Sequence, residues 1–183
     1  MGHKKVLRII WVALVLVGLV LFFLYPEWIT KEALSNFVLN NSVSIFWTYL
    51  GICIIRGVFL LPSTPFVFAG IILFPESPWL VFSISMLGII ITAVYLYLAS
   101  KFLEFNKLFG YKQSKKTAKI IKKLKKRGFL IVLGWSFFPL VPTDLICYIA
   151  GSIRMNFSKY ISAVFIGEAI LIGIYIFLGK ISI

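Results

Sequence analysis

The chain contains few residues that could bind a metal ion or carry out acid–base catalysis. Its 183 residues include one histidine, two cysteines and six carboxylates. A zinc site or a disulfide framework needs more thiols, or histidines at a defined spacing, and acid–base catalysis needs titratable groups within reach of a substrate. Cys53 and Cys147 both lie in apolar stretches, where a free cysteine is usually a small buried hydrophobe. The sequence therefore predicts no metal, no cofactor and no enzymatic activity.

Polar residues are also scarce for a chain of this length. Charged residues make up 14% of the sequence, whereas hydrophobic residues make up 61% and aromatic residues 17%. The mean hydropathy is +1.01. So little polar surface cannot cover a soluble fold. We therefore predict an all-α integral membrane protein, in which each full span needs about 20 apolar residues to cross roughly 30 Å of hydrocarbon.

Three apolar runs are long enough to be full membrane spans. They are residues 9–25, 79–99 and 161–178. Pro26 ends the first run, and no small-residue cleavage pattern follows it, so we predict a retained membrane helix and not a removed signal. The basic residues Lys4, Lys5 and Arg8 precede this run, and the positive-inside tendency places the N-terminus in the cytoplasm.

Two further apolar stretches are each broken by a pair of prolines. Pro62 and Pro65 divide the first stretch, and a short apolar piece, residues 66–74, follows them. At 1.5 Å per residue that piece covers roughly 13 Å, less than half of the hydrocarbon thickness. Pro139 and Pro142 divide the second stretch in the same way. We therefore predict two re-entrant hairpins; two complete spans in place of the first hairpin would give the same topology, but its length disfavours them.

Positive charge is concentrated in one block of the sequence. Eleven basic residues and one acid, Glu104, lie between Lys101 and Arg127, so residues 101–127 carry ten of the thirteen net positive charges. This block is predicted to be cytoplasmic. Its lysine-rich part can form a helix that lies on anionic lipid, or a solvated loop that only fixes the topology. Nucleic-acid binding is not predicted, because no aromatic residues are interleaved with these lysines. The predicted lipid-facing residues are Lys115, Lys116, Lys119, Lys122, Lys123, Lys125, Lys126 and Arg127.

The two proline-broken stretches repeat one design. PSTPFVFAG at residues 62–70 and PLVPTDLICYIAG at residues 139–151 each have two prolines three apart and close on Ala-Gly, at Gly70 and Gly151. The first hairpin enters from the outside and the second from the cytoplasm, so the two are related by inverted topology. Such paired, interrupted segments indicate a transporter-type site near the bilayer midplane, where unwound backbone must be buried in protein or line a cavity.

Three charged residues fall within the apolar segments, and each has a functional and a structural interpretation. Charged groups at membrane depth usually face an interior and mark a pathway. Arg56 could clamp a phosphate or hold the backbone carbonyls at the first break. Asp144 could accept a proton, or it could cap the helix after Pro142. Glu168 could belong to the pathway or form a salt bridge with Arg56.

The predicted substrate-binding or ion-coupling residues cluster around the breaks. They are Arg56, Pro62, Pro65, Gly70, Pro139, Pro142, Asp144, Gly151 and Glu168. Ser63, Thr64 and Thr143 are predicted to be helix caps, because each lies at the start of a half-helix.

Two segments carry a resemblance to a known family. RGVFLLPSTPFVFAGIILF and FFPLVPTDLICYIAGSIRMNFSKYISAVFIGEAI resemble the two signature regions of the DedA superfamily, the SNARE-associated or VTT-domain membrane proteins, over roughly residues 42–178. The resemblance implies a polytopic protein with two opposed re-entrant hairpins. It also implies a link to lipid scrambling, as in eukaryotic members, or to polyprenyl-phosphate recycling and membrane homeostasis, as in bacterial members. Ser136 stands where many members carry an arginine, three residues before the first proline of the second motif.

Together these features predict the organisation and function of the chain. Residues 1–41 are expected to form an N-terminal membrane helix and an outer interfacial segment, and residues 42–183 a VTT/DedA-like membrane domain. The expected function is a scramblase or flippase of the cell membrane that moves a phospholipid or polyprenyl phosphate, passively or with protons, since no ATP-binding motif is present. Its expected partners are anionic or phosphate-bearing lipids, and a homo-oligomer is compatible with the sequence. The alternative is a non-catalytic assembly or stability factor that docks partners through the basic block.

Overall fold

The computed structural model describes residues 2–25, 27, 30–40, 44–103, 115–138 and 142–181. Within these ranges the regular secondary structure is helical, and no strand occurs. The helices in chain order are α1 (Gly2–Leu24), α2 (Lys31–Leu39), α3 (Ile45–Val58), α4 (Thr64–Leu73), α5 (Pro78–Leu103), α6 (Lys115–Ser136), α7 (Thr143–Ser152) and α8 (Phe157–Ile181). The all-helical class predicted from the composition is confirmed for these residues.

The first proline pair separates α3 from α4. The chain leaves α3 through Leu60, whose φ of 57° is unusual for a residue with a side chain. The Leu61 amide then donates back to the carbonyl oxygen of Arg56. Pro65 lies in the first turn of α4, where its missing amide hydrogen has no intrahelical partner to lose. The two short helices thus meet at a tight, hydrogen-bonded break.

The second break lies between α6 and α7. Helix α6 ends at Ser136, and α7 begins at Thr143, directly after Pro142. The other proline of this pair, Pro139, lies outside the described residues. Helix α6 is also kinked at Arg127, whose φ of −123° and ψ of 26° are not helical. The kink divides the lysine-rich part of α6 from its apolar C-terminal part.

Helix α5 lies at the centre of the bundle and contacts α3, α4, α7 and α8. Helix α6 packs along α8, and α2 packs against α4. The core contains residues with no solvent exposure from both long helices, among them Ile84 and Leu96 of α5 and Val164 and Ile172 of α8. The short helices α4 and α7 are therefore held between the long ones.

Two helices in the described part of the chain are long and apolar enough to cross a membrane. They run over Pro78–Phe102 within α5 and Phe157–Phe177 within α8. Both were predicted as full spans. Helix α1 has 23 residues, but its described apolar stretch, Ile9–Gly18, is shorter than a span, so the third span stays a prediction. The domain boundary predicted after residue 41 also stays a prediction, because residues 41–43 lie outside the described ranges.

Candidate functional site

A buried ion pair joins the two proline-broken regions. Arg56 lies in the last turn of α3 and Asp144 in the first turn of α7. Nη1 of Arg56 lies 3.1 Å from Oδ2 of Asp144, and each side chain is only 4% exposed. The same Nη1 donates to the carbonyl oxygen of Leu61 at 3.0 Å, which lies in the first break. The arginine therefore contacts both an acid of the second half and the unwound backbone of the first.

The surroundings of this pair strengthen its electrostatic interaction. The guanidinium carbon of Arg56 lies 5.9 Å from the ring centroid of Phe66, within the range of a cation–π contact. Asp144 is flanked on its helix by buried apolar residues, among them Ile146 and Cys147. In such an environment a charge is stable only with its partner, because the low dielectric raises the cost of an isolated ion. Neither charge would be stable in this buried position without the other.

Glu168 lies beside the pair but does not bind Arg56. It is fully buried in α8, and its Oε1 accepts a hydrogen bond from the Thr143 hydroxyl. The expected alternative, a salt bridge from Glu168 to Arg56, is wrong, because the acid that pairs with Arg56 is Asp144. Oε2 of Glu168 and Oγ of Ser136 are buried and have no hydrogen-bond partner among the described residues. An unsatisfied buried polar atom is costly and often marks a ligand or water position.

The threonine hydroxyls at the two helix starts contact α8, and no side chain at the N-cap position caps either helix. Ser63 and Pro142 occupy the N-cap positions of α4 and α7, and neither helix has a side-chain cap hydrogen bond. The Thr64 hydroxyl lies 3.1 Å from the Tyr175 hydroxyl, and the Thr143 hydroxyl donates to Oε1 of Glu168. The capping role predicted for the serine and both threonines is therefore wrong.

One face of α8 receives both threonines. Glu168 and Tyr175 lie seven positions apart, which is about two turns, so their side chains project from the same side of the helix. Thr64 and Thr143 each open a half-helix that follows a break. The threonine hydroxyls of the two half-helices thus contact one face of α8.

The two motif glycines lie at close helix contacts. A Cβ at Gly70 would fall 2.6 Å from Cζ of Tyr49, and a Cβ at Gly151 would fall 2.9 Å from the backbone carbonyl carbon of Tyr97. Real Cβ atoms do not approach other heavy atoms so closely. The described geometry explains both glycines by packing, and a role in substrate binding stays a prediction for them, as it does for the half-buried Pro62, Pro65 and Pro142.

Sequence reasoning missed a set of buried tyrosines. The Tyr49 hydroxyl is 3.0 Å from both the Phe66 carbonyl oxygen and Ser85 Oγ, which ties α3 to α4 and α5. The Tyr160 hydroxyl donates to the Ala93 carbonyl oxygen at 3.0 Å. A tyrosine inside an apolar helix was the available signal, since a buried hydroxyl needs a partner.

Comparison with known proteins identifies the family. The family model of the VTT domain matches residues 61–181, which include both proline pairs, Asp144 and Glu168. This chain belongs to the VTT-domain (DedA) family. It is also 34% identical over 157 residues, 81% of this chain and 92% of the relative, to an uncharacterised protein of the archaeon Methanocaldococcus jannaschii. No solved structure matches the chain.

The metal-binding, thiol and lipid-facing predictions can also be compared with the described residues of this VTT-domain protein. The described residues contain no group of three or more histidine, cysteine or carboxylate side chains that could hold a metal ion. Cys53 and Cys147 are buried free thiols, as predicted. Of the predicted lipid-facing residues, Lys126 and Arg127 are exposed. The side chains of the other six lie outside the described structure, although their backbone belongs to α6.

Proposed function

We propose that this VTT-domain protein moves a phosphate-bearing lipid across the bilayer, as a scramblase or flippase. The observation that carries the proposal is the buried pair of Arg56 and Asp144, which joins the two breaks at 3.1 Å. Charged groups inside a membrane protein are costly and usually mark a transport pathway. The family membership supports a transport-related membrane protein, and the lipid substrate is the proposed refinement.

The proposed architecture is a pair of opposed re-entrant hairpins. Helix α3 has 14 residues, and α4 and α7 have 10 each. At 1.5 Å per residue they measure about 21 Å and about 15 Å, short of the roughly 30 Å of hydrocarbon. The contacts are consistent with an inverted repeat, because α3 packs on α5 as α6 packs on α8, and α7 packs on α5 as α4 packs on α8. In this arrangement α1, α5 and α8 are the full spans.

In the proposed mechanism, a lipid phosphate takes the place of Asp144 on the Arg56 guanidinium. Both hydrogen bonds that Arg56 makes with described residues use Nη1, so Nη2 and Nε remain available for a planar fork that matches a phosphate. The headgroup then passes along the polar seam between the hairpins while the acyl chains stay in the bilayer. Movement is passive or coupled to protons, with Asp144 and Glu168 as the groups that can accept a proton.

The proposed orientation follows the charge distribution. The basic block of residues 101–127 faces the cytoplasm of the cell (plasma or inner) membrane, as does the N-terminus. A cysteine introduced at Lys116 then stays unlabelled when a membrane-impermeant thiol reagent is added to intact cells. The two native thiols are buried, so background labelling is low, and labelling at this position would reverse the orientation.

Reconstitution tests the proposed function. The purified protein is placed in liposomes that contain a labelled lipid in one leaflet, and exposure of the headgroup on the other side is followed over time. We expect faster exposure than in protein-free liposomes for lipids that carry a phosphate and not for diacylglycerol, which lacks one. Equal rates with and without protein across a panel of lipids would reject transport and favour the alternative, a non-catalytic assembly factor that docks partners through its basic block.

A further inference from the structure

A second polar feature lies away from the central ion pair, at the start of α8. A cavity of about 580 Å³ opens between the kink of α6 and the turn that joins α7 to α8. Four of its lining residues are cationic, and they are Lys126, Arg127, Arg154 and Lys159. Its described lining contains no carboxylate. The cavity therefore collects positive charge from two segments that are separate in sequence.

The walls of this cavity are fixed by backbone contacts. The Arg154 amide donates to the Gly151 carbonyl oxygen, and the Met155 amide donates to that of Ala150, both at 3.0 Å. The Met155 carbonyl oxygen accepts a hydrogen bond from Tyr97 of α5. A Cβ at Gly128 would lie 2.9 Å from the Met155 sulfur, so α6 closely approaches the turn here. The cations thus lie on a hydrogen-bonded turn and on a helix that packs closely against it.

Among the described residues, no carboxylate forms an ion pair with these four cations. The ion pair found there uses Asp144, whose carboxylate is bound to Arg56. In sequence, the nearest other acids are Glu104 and Glu168, and Glu168 is buried against Thr143. Like charges gathered around one cavity repel one another and create a positive potential that attracts anions. The cavity is therefore suited to an anionic ligand.

The position and the remaining lining indicate an amphiphilic ligand. The apolar span of α8 begins at Phe157, and the cavity is lined by Asn156 and Lys159 on either side of this residue. The cavity therefore lies at the end of a span, where headgroups meet hydrocarbon. Phe129, Leu130 and Met155 supply apolar walls beside the cations. Basic pockets between membrane helices at this level bind phosphate-containing headgroups, and arginine is well shaped for phosphate.

We propose that this basic cavity binds the phosphate group of an anionic lipid at the membrane surface. The ligand chemistry is a phosphate group, with a lipid headgroup or free inorganic phosphate as the possible source. The site is separate from the central pair and concerns binding alone. The proposal holds whether or not the protein transports lipid, because its test measures a binding affinity and not a rate of transport across the bilayer.

Arg154 offers a variant that removes a charge without disturbing the fold. Its φ of 54° lies in the left-handed region, which glycine adopts without strain. Arg154→Gly therefore deletes one cation at a position where glycine suits the backbone. Lys159→Gln removes a second one at an exposed site. Lys101→Gln is the matched control, since Lys101 is exposed, cationic and absent from the cavity lining.

Native mass spectrometry of the purified full chain, titrated with three probes, tests the proposal. Phosphatidic acid carries phosphate and acyl chains, diacylglycerol lacks the phosphate, and inorganic phosphate lacks the chains. We expect phosphatidic acid to bind, with its affinity reduced about fivefold by Arg154→Gly and about twenty-five-fold with Lys159→Gln added, the factors expected for basic residues near phosphate. Lys101→Gln should leave the affinity for phosphatidic acid unchanged, and diacylglycerol should bind much more weakly than phosphatidic acid.

Every outcome decides the proposal. If inorganic phosphate binds with the same dependence on Arg154 while the lipid does not, the lipid part of the proposal is overturned and the cavity is a site for free phosphate; if neither binds, the whole proposal is overturned. If both bind with that dependence, the site recognises the phosphate of either source. The proposal is overturned if Lys101→Gln weakens binding as much as Arg154→Gly does, or if diacylglycerol binds as tightly as phosphatidic acid.

Discussion

Arg56 and Asp144 are 88 positions apart in sequence, yet Nη1 of one lies 3.1 Å from Oδ2 of the other. Both side chains are buried, and each belongs to a short helix at a proline break. A buried pair of this kind contributes little net stability compared with apolar residues of similar size, but the loss of one partner is costly. Removal of either side chain would therefore leave the other charge buried and unpaired, and in the proposed function Arg56 of this pair binds the anionic substrate.

The first prediction separates these two contributions. Asp144→Leu leaves Arg56 buried without an acid and should reduce the free energy of unfolding by about 3–5 kcal/mol. Adding Arg56→Met to Asp144→Leu removes the second charge, so most of that stability should return. Thermal unfolding of the purified proteins in one detergent gives the comparison. A double variant as unstable as Asp144→Leu would show that the unpaired arginine is not the cause of the lost stability.

The second prediction concerns the close approach of α7 to α5. Gly151→Ala places a methyl group against the backbone of Tyr97, which cannot move aside as a side chain can. We expect a loss of about 1–3 kcal/mol, the usual cost of overpacking. Gly134→Ala is the matched control, because nothing lies within 4 Å of its added Cβ and alanine favours a helix. Equal melting temperatures for the two variants would argue against this packing.

The third prediction concerns re-entrance of the first hairpin. Asn40 and Ser77 are exposed on either side of it, and cysteines at both positions should be labelled from the same side of the membrane. A cysteine at Ser63, at the break, should not be labelled from the opposite side, because a re-entrant hairpin stops inside the bilayer. Labelling of Ser63→Cys from the opposite side would show that α3 and α4 are two complete spans and not a re-entrant hairpin.

Much of the helix layout could be predicted from the sequence. Prolines remove backbone donors and restrict the preceding residue, so Pro62 and Pro142 mark helix boundaries without any tertiary information. The long apolar runs likewise predicted α5 and α8. The kink at Arg127 was not predicted, although Gly128 directly follows it and a glycine weakens a helix.

The site was only partly predictable. The cost of a charge in an apolar segment pointed to Arg56, Asp144 and Glu168, but it could not say which acid binds the arginine. That choice depends on the direction in which α8 presents Glu168, which is set by the packing of α8 on its neighbours. The partners of Thr64 and Thr143 were missed for the same reason, since local capping rules ignore a neighbouring helix.

The fourth prediction tests proton coupling. Asp144→Asn keeps the shape of the side chain but removes its titratable proton. If Asp144 accepts a proton during transport, this variant should transport lipid more slowly and with a flatter dependence on pH than the wild-type protein. Headgroup exposure in liposomes at several pH values supplies the measurement. Glu76→Gln, an exposed carboxylate outside the site, is the control, and an Asp144→Asn profile with wild-type rate and slope would exclude Asp144 as the coupling group.

Lipid transport by Arg56→Lys, measured in liposomes at matched protein amounts, tests the central claim most directly. A lysine ammonium can replace both bonds that Nη1 makes, to Asp144 and to the Leu61 carbonyl oxygen, so the melting temperature should stay near that of the wild-type protein. The ammonium cannot supply the planar fork for phosphate, so transport should fall about tenfold, the factor for one lost charge-assisted hydrogen bond. A folded Arg56→Lys protein that moves lipid at the wild-type rate would contradict the proposed pathway.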